Sequence, residues 1–179
     1  VEAVYTAVPP VIDGRLEESA WEKAQVISAF YQREPFEGRP VTEDTEFYLM
    51  YDEENLYIGA HCYHRDPADI ISREMARDVN LGFEDRIQII LDTYLDGRNG
   101  YWFQIGPRGS IGDALVSENG RGFNKAWDGI WDGRTYIHER GWDAEIIIPF
   151  RILGFHRNRD TWGLKLIRNI KKRSESSYW

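Results

Sequence analysis

The sequence predicts an all-β protein, an antiparallel β-sandwich with one short N-terminal helix. Three observations lead to this prediction. Apolar and polar residues alternate with a period of two along most segments, which is typical of strands with one buried face. About nine or ten such segments follow one another, separated by turn sequences rich in Gly, Asp and Asn. Helical periodicity is confined to a few short stretches.

The N-terminal region contains a turn followed by the expected helix. Asp13-Gly14 is a turn signal, because glycine tolerates positive φ and the Asp side chain can bond its own backbone. Residues 17–24 are expected to form a short helix, with Glu17 and Glu18 in its first turn, where the helix dipole favours negative charge. Trp21 would then face the core.

The strands are expected as a series of hairpins and returning segments. Two helical turns are expected beside them, at residues 67–72 and 150–153. The polar loop 52–55 joins the first two strands, and the glycine-rich loop 96–100 joins the next pair. The predicted strands cover residues 46–51, 56–63, 86–92, 101–105, 110–117, 134–138, 142–148 and 161–170.

Composition excludes several classes of protein. The chain has 179 residues, enough for one domain with a real core, and carries 22 basic against 30 acidic residues, a net charge of −8. This charge argues against nucleic acid as a partner, and we interpret the basic run 168–173 as a solvated strand end. No apolar run approaches the ~20 residues of a transmembrane helix. The single Cys62 excludes an internal disulfide.

The ends of the sequence suggest a larger parent protein. The chain begins with Val1 rather than with methionine, and it ends at Trp179 directly after a segment with the pattern of a strand. We therefore expect residues 1–179 to form a single domain excised from a longer chain.

Catalytic motifs are absent from the sequence. It contains no nucleophile elbow, phosphate-binding loop, dinucleotide fingerprint or His-Glu-x-x-His zinc motif. Paired carboxylates can hydrolyse glycosides, but no local pattern selects one pair among the acidic residues. No catalytic residue is therefore assigned, and the candidates that stay open are Glu84, Asp85, Asp143 and Glu145.

Acidic residues crowd two loops that flank one end of the predicted sheet. Hard oxygen donors in loops are the ligands that Ca²⁺ takes in proteins, so a structural calcium ion is one interpretation and a solvated acidic loop is the other. The candidate calcium ligands are Asp66, Asp78, Glu84 and Asp85.

Aromatic residues are the strongest compositional signal, with seven Trp, ten Tyr and eight Phe. Flat rings beside hydrogen-bonding groups suit the faces of sugars, whereas Trp21, Trp142 and Trp162 alternate with core positions and are expected to pack. Gln88 and Gln104 lie opposite the apolar faces of their strands, which is typical of a polar binding face.

Four motifs in order resemble the family 9 carbohydrate-binding modules. They are PVIDGRLEESAW at 10–21, LMYDEENLYI at 49–58, FEDRIQIILD at 83–92 and GWDAEIIIPF at 141–150. A subgroup in which such a domain precedes a predicted outer-membrane β-barrel is similar in further stretches, at 92–103, 126–132, 162–170 and 175–179. The resemblance implies a jelly-roll-like sandwich, secretion to the periplasm or cell surface, carbohydrate binding, and calcium in some members.

The resemblance also implies positions for a sugar site. In the sugar-binding members two tryptophans clamp a sugar, assisted by Glu and Arg. The first clamp position falls near Phe83, the Glu on Gln88, the Arg on Gln104, and the second clamp at or beyond Trp179. Arg168 shares a strand face with apolar residues and therefore needs a partner, which a ligand or an acid would supply.

The leading hypothesis is therefore non-catalytic binding of a poly- or oligosaccharide by a domain of a secreted or outer-membrane protein. Two alternatives stay open: a periplasmic domain that docks on the C-terminal remainder of its own chain, and an accessory domain of a glycoside hydrolase. The candidate carbohydrate-binding residues are Phe83, Gln88, Trp102, Gln104, Trp127 and Arg168.

Overall fold

A computed structural model describes all of residues 1–179 and confirms the all-β prediction, with two sheets packed as a sandwich. One sheet has five strands in the order β1-β3-β4-β10-β9, and the other has seven in the order β2-β12-β11-β5-β6-β7-β8. Every strand pair is antiparallel except β1 with β3. The strands are β1 Val4–Tyr5, β2 Tyr31–Glu34, β3 Thr45–Tyr51, β4 Asn55–Tyr63, β5 Arg86–Asp92, β6 Gly100–Ile105, β7 Ile111–Ser117, β8 Gly122–Asn124, β9 Asp132–His138, β10 Gly141–Pro149, β11 Gly163–Ile170 and β12 Glu175–Tyr178.

The expected N-terminal helix is much shorter than the sequence predicts. Only Trp21–Lys23 is helical, as one 3₁₀ turn, and the predicted turns at 67–72 and 150–153 are likewise reduced to Pro67–Asp69 and Phe150–Ile152. A helix of two turns is marginal without tertiary support, and here the segment instead lies flat across a sheet. Three further 3₁₀ turns are Leu81–Phe83, Glu118–Gly120 and Lys171–Arg173. No helix in the chain has the length and apolar character needed to cross a membrane.

The alternation of each strand divides its residues between the core and an outer face. In β5, Ile87, Ile89 and Leu91 are buried in the main core, whereas the residues between them point outward. The neighbouring strand β6 repeats this division, because Phe103 pairs with Ile89 and is also fully buried. The main core lies between the two sheets and contains twenty buried residues.

The N-terminal segment covers part of the outer face of the five-stranded sheet. Trp21 is buried there against Met50 and Tyr57, as the sequence predicts for a core residue. A close approach makes this possible: a Cβ on Gly59 would stand 2.5 Å from Leu16 and 3.1 Å from the Trp21 ring. The segment and the sheet thereby form a second, smaller core.

Glu145 holds this segment in place from β10. Its Oε2 accepts the backbone N–H groups of Asp13 and Gly14, each at 2.9 Å, and its Oε1 accepts the Trp21 indole N–H at 2.9 Å. The carboxylate is fully buried, so these three donors replace water around both of its oxygens. Gly14 has a φ of 93°, and a Cβ added to it would lie only 2.6 Å from the backbone carbonyl carbon of Thr135. The position therefore excludes any side chain.

Arg168 connects the two sheets across the interior. Its strand, β11, belongs to the seven-stranded sheet, and its guanidinium reaches the five-stranded sheet. Nη1 donates to the Asp44 carbonyl at 2.6 Å and to Thr45 Oγ1 at 2.8 Å, while Nη2 donates to the Tyr63 carbonyl at 2.5 Å. With 1% of its surface exposed, Arg168 is satisfied by the protein itself.

Replacing Glu145 by glutamine is expected to lower the free energy of unfolding by roughly 1–3 kcal/mol, because the amide NH₂ group would face a buried N–H donor and leave it without an acceptor. Urea unfolding followed by tryptophan fluorescence measures the change. Glu139→Gln is the matched control, since Glu139 is exposed in the turn of the same hairpin. Identical stability of the wild type and Glu145→Gln would contradict the anchoring role.

The effect of Glu145 is also expected to depend on pH. Burial raises the pKa of its carboxyl above the ordinary 4.5, against the opposing effect of the three N–H donors. Such a group stabilises the fold most when protonated, and this contribution is lost as pH rises through the folded-state pKa. Unfolding measured over a pH series should therefore show the difference between wild type and Glu145→Gln shrinking as pH rises from 4.5. A difference that grows with pH would contradict the assignment.

Candidate ligand-binding groove

A groove lies on the outer face of the seven-stranded sheet. Its floor is formed by side chains that the alternation of β5 and β6 turns away from the core. The 3₁₀ turn Leu81–Phe83 closes one side and the short strand β8 closes another. The groove has a volume of about 250 Å³ and is lined by Asn80, Leu81, Arg86, Gln88, Trp102, Gln104, Phe123 and Lys125.

Side-chain hydrogen bonds fix the polar floor of the groove. The Trp102 indole N–H donates to Gln88 Oε1 at 2.9 Å, and Gln88 Nε2 donates to Asn169 Oδ1 at 2.6 Å. Arg86 donates from Nη1 to Gln104 Oε1 at 3.0 Å and from Nε to Asn169 Oδ1 at 3.3 Å. The network orients the three amides, so the groove presents donors and acceptors in set directions to a ligand.

Two aromatic rings form the wall beside this floor. Trp102 and Phe123 meet edge to face, with ring centroids 4.9 Å apart and an interplanar angle of 70°. Trp102 is almost buried, whereas 47% of Phe123 is exposed. The exposed ring therefore offers an apolar face at the mouth of the groove.

β8, which carries Phe123, and the loop after it, which carries Lys125, are anchored at their far end by Asp113 of β7. The Asp113 carboxylate accepts the Trp131 indole N–H at 2.6 Å and the Gly129 N–H at 3.3 Å, and it forms an ion pair with Arg77 at 2.5 Å. Burial raises the pKa of the Asp113 carboxyl, while these three donors act in the opposite direction. The buried Asp113 carboxylate thus fixes the end of the segment that forms the wall of the groove.

Three of the six residues predicted to bind carbohydrate come together in this groove. Gln88 and Gln104 pair across β5 and β6 on the outward face, where the alternation predicts them, and Trp102 lies beside them. Phe83 stands outside the lining, at the end of the 3₁₀ turn that brings Leu81 to the groove. Its ring is 72% exposed and lies 5.1 Å from Lys171 Nζ.

The other two predicted residues lie elsewhere, which corrects their assignment to the sugar site. Trp127 packs against the core-facing rings of Tyr101 and Phe103, at centroid distances of 5.1 and 6.0 Å. Arg168 pairs with Ile87 on the core side of the sheet and is satisfied by backbone carbonyls. Both side chains are on the opposite face of the sheet from Gln88: Arg168 because strand neighbours alternate, and Trp127 because it packs against the main core.

Five lining residues are missing from the sequence-based set: Asn80, Leu81, Arg86, Phe123 and Lys125. Arg86 could have been found, since it precedes Gln88 by two residues on the same strand and therefore shares its face. The other four come from a 3₁₀ turn and from β8 with its following loop, and β8 is too short to give a periodic signal.

A second and wider groove, of about 730 Å³, lies where the chain crosses between the sheets. Tyr31, Glu46, Tyr63 and Arg140 contribute to its lining. Glu46 Oε2 already accepts the Tyr63 hydroxyl at 2.9 Å. None of the predicted carbohydrate-binding residues lines this groove.

The carboxylates considered for catalysis have structural partners. Glu145 binds the N-terminal segment, and Glu84 accepts the backbone N–H groups of Arg73 and Glu74 at 2.9 and 3.2 Å. Asp143 Oδ1 lies 2.7 Å from His61 Nδ1 and also contacts His138. None of these carboxylates lines the groove at Gln88.

The four carboxylates predicted to bind calcium do not form one site. Asp66 accepts the Ala68 N–H at the start of a 3₁₀ turn, and Asp78 lies 3.4 Å from Arg77. Glu84 is committed as described above, and Asp85 lies 3.1 Å from His64 and accepts the Lys171 N–H. No group of three or more His, Cys, Asp or Glu side chains is arranged to hold a metal ion. The donor set therefore does not fit calcium in this arrangement.

Calcium is accordingly expected to leave the melting temperature unchanged, because the four carboxylates already have protein partners. Thermal unfolding with added calcium chloride, with magnesium chloride as the control and then with a chelator, measures this. A calcium-specific rise that the chelator reverses would contradict this expectation and support the sequence-based prediction of a structural ion.

Comparison with known proteins places the fold. No family model matches the chain, and no curated protein matches it either. Among solved structures, it is similar to a family 9 carbohydrate-binding module from Caldicellulosiruptor kristjanssonii in complex with glucose, with 18% identity, a TM-score of 0.69, and coverage of 99% of this chain and 84% of the other. A family 9 module from the same organism in complex with cellotriose is also similar, with 16% identity and a TM-score of 0.64 over 99% of this chain and 83% of the other.

A candidate carbohydrate-binding protein from Bacteroides uniformis is also similar, with 11% identity and a TM-score of 0.73 over 100% of this chain and 87% of the other. Identities this low establish the architecture alone. The chain therefore has the β-sandwich fold of the family 9 carbohydrate-binding modules, as the motif resemblance implies.

Proposed function

We propose that this chain is a non-catalytic carbohydrate-binding domain and that the groove at Gln88 is its binding site. The observation that carries the proposal is the lining itself, in which the amides of Gln88 and Gln104, oriented by hydrogen bonds, stand beside the rings of Trp102 and Phe123. A sugar ring combines apolar C–H faces with a rim of hydroxyls, so it matches an aromatic wall above a floor of donors and acceptors.

The size and the fold support the same conclusion. A volume of about 250 Å³ lies just below the usual range for sites of drug-sized ligands, which suits one sugar unit held at a time. Structures of the same fold have been obtained in complex with glucose and with cellotriose. Absence of catalysis is part of the proposal, because no carboxylate lines the groove to serve as an acid or a base.

The proposed setting is outside the cytoplasm, in the periplasm or at the cell surface of a bacterium, joined to a C-terminal remainder. The support for this setting is the order of motifs shared with domains that precede outer-membrane barrels. Cell fractionation of a strain that produces the parent protein tests it, and recovery in the cytoplasmic fraction would contradict it.

Replacing Phe123 by alanine is expected to weaken sugar binding by roughly fivefold to tenfold, because a contact between a ring and a sugar face contributes about 1 kcal/mol. Isothermal titration against glucose, cellotriose, xylotriose and the corresponding uronic acids measures the affinity. The melting temperature should change little, since half of the ring is already exposed.

Tyr31→Ala is the matched control, because Tyr31 is similarly exposed but lines the wider groove. Its affinity is expected to equal that of the wild type. Loss of binding in Tyr31→Ala with none in Phe123→Ala would move the site to the wider groove. An absence of heat with every saccharide, from a protein shown to be folded, would refute carbohydrate binding at this groove.

A further inference from the structure

We infer that the groove selects saccharides that carry a carboxylate, such as uronic acids, over their neutral counterparts. This inference rests on the proposed function and adds the charge of the ligand to it. Two cationic side chains, Arg86 and Lys125, line the groove, and no acidic side chain does. The protein has a net charge of −8, so composition alone predicts a negatively charged groove, whereas the lining of this one is positively charged.

Arg86 is a half-buried charge without a counter-ion. Its hydrogen bonds go only to the neutral amide oxygens of Gln104 and Asn169, and it takes part in no ion pair. Burial lowers the pKa of its guanidinium, which reflects the cost of holding the charge there. Buried charges in proteins are normally paired, so Arg86 lacks the partner that a ligand anion would supply.

Other partly buried arginines of the chain show how this protein usually meets that requirement. Arg77 forms ion pairs with Asp113 and Asp128, and Arg173 forms one with Glu43. Arg168 is buried and also lacks an ion pair, but both of its Nη atoms donate to oxygens of the chain. Arg86 differs because its Nη2 makes no hydrogen bond within the chain and the residue lines an open groove. The unused donor is therefore a property of the groove.

The acidic residues near Arg86 in sequence or space already bind other groups of the protein. Glu84 accepts two backbone N–H groups, and Asp85 is buried against His64. Asp78, beside the Gln104 amide, is paired with Arg77.

Two lysines add to the positive charge of this face. Lys125 lines the groove, and Lys165 is exposed two residues before Ile167, on the outward side of β11. Neither ammonium forms an ion pair within the chain. With Arg86, these ammonium groups place positive charge at the groove, which favours an anionic ligand.

A carboxylate on a sugar ring fits this lining better than a bare anion or a polyanion. The guanidinium can meet a carboxylate through two parallel N–H donors, and Nη2 of Arg86 makes no hydrogen bond within the chain. The aromatic wall at Phe123 and the amide floor remain available for the ring and its hydroxyls. A long polyanion such as nucleic acid would meet the overall negative charge of the protein outside the groove.

The test compares matched sugars that differ only at C6: methyl galacturonide against methyl galactoside, and methyl glucuronide against methyl glucoside. Isothermal titration at low ionic strength is expected to give at least tenfold tighter binding of the acidic member of at least one pair. The preference should fall as salt is added, because the interaction is electrostatic and only partly buried. Arg86→Gln should abolish the preference, because it should lower the affinity for the acidic member much more than the affinity for the neutral member.

Arg134→Gln is the control of equal charge change, because Arg134 is exposed on the five-stranded sheet and lies away from the groove. It should retain the preference. Lys125→Gln is the second variant if Arg86→Gln does not fold, and it should reduce the preference without changing the melting temperature.

The outcomes separate the two proposals. Binding of neutral sugars at least as tight as binding of the acids, with no effect of Arg86→Gln or Lys125→Gln, would overturn the inference and leave the proposed function standing. Failure of both members of every pair to bind, by a folded protein, would overturn both.

Discussion

The guanidinium of Arg168 spans the interior of the sandwich, and the rest of the architecture follows from where it points. It belongs to the seven-stranded sheet and donates to a carbonyl on each of two neighbouring segments of the five-stranded sheet, at Asp44 and Tyr63. Because side chains alternate along a strand, an inward Arg168 requires an outward Asn169, and the register then places Gln88 and Gln104 on the outside. The bond that joins the sheets therefore also determines which residues can face a ligand.

The regular part of the fold could be predicted because it depends on local alternation. Alternation predicts the strand Arg86–Asp92 with its observed bounds and places Gln88 on the outward face. Alternation does not predict the strands β1, β2, β8 and β12, because segments of two to four residues contain too few alternations to be recognised. The predicted helix at 17–24 is too long because its backbone N–H groups at Trp21, Lys23 and Ala24 bond three residues back, as in one 3₁₀ turn. The Trp21 indole is held by Glu145, a contact that the sequence does not reveal.

The candidate site could be predicted only in its floor. Alternation selects Gln88, Trp102 and Gln104 because all three lie in strands. It cannot predict whether the side chain of a loop residue faces the core or the solvent. The assignment of Trp127 to the sugar site is therefore wrong, because its ring packs against Phe103. The acidic residues raised a different difficulty. Glu84, Asp85 and Glu145 resemble metal ligands or catalytic acids in the sequence, yet each one accepts N–H groups that the fold would otherwise leave unpaired. Side-chain type alone does not distinguish these uses.

The strand that carries Phe123 has a consequence for the energetics of binding. β8 has three residues, lies at the edge of its sheet and pairs only with β7, so it belongs to the part of a fold that opens most readily. One wall of the groove thus exists only while this strand is paired. A ligand that binds the closed form would hold β8 in register, and the measured affinity would be the intrinsic affinity reduced by the fraction of molecules in which the edge has frayed.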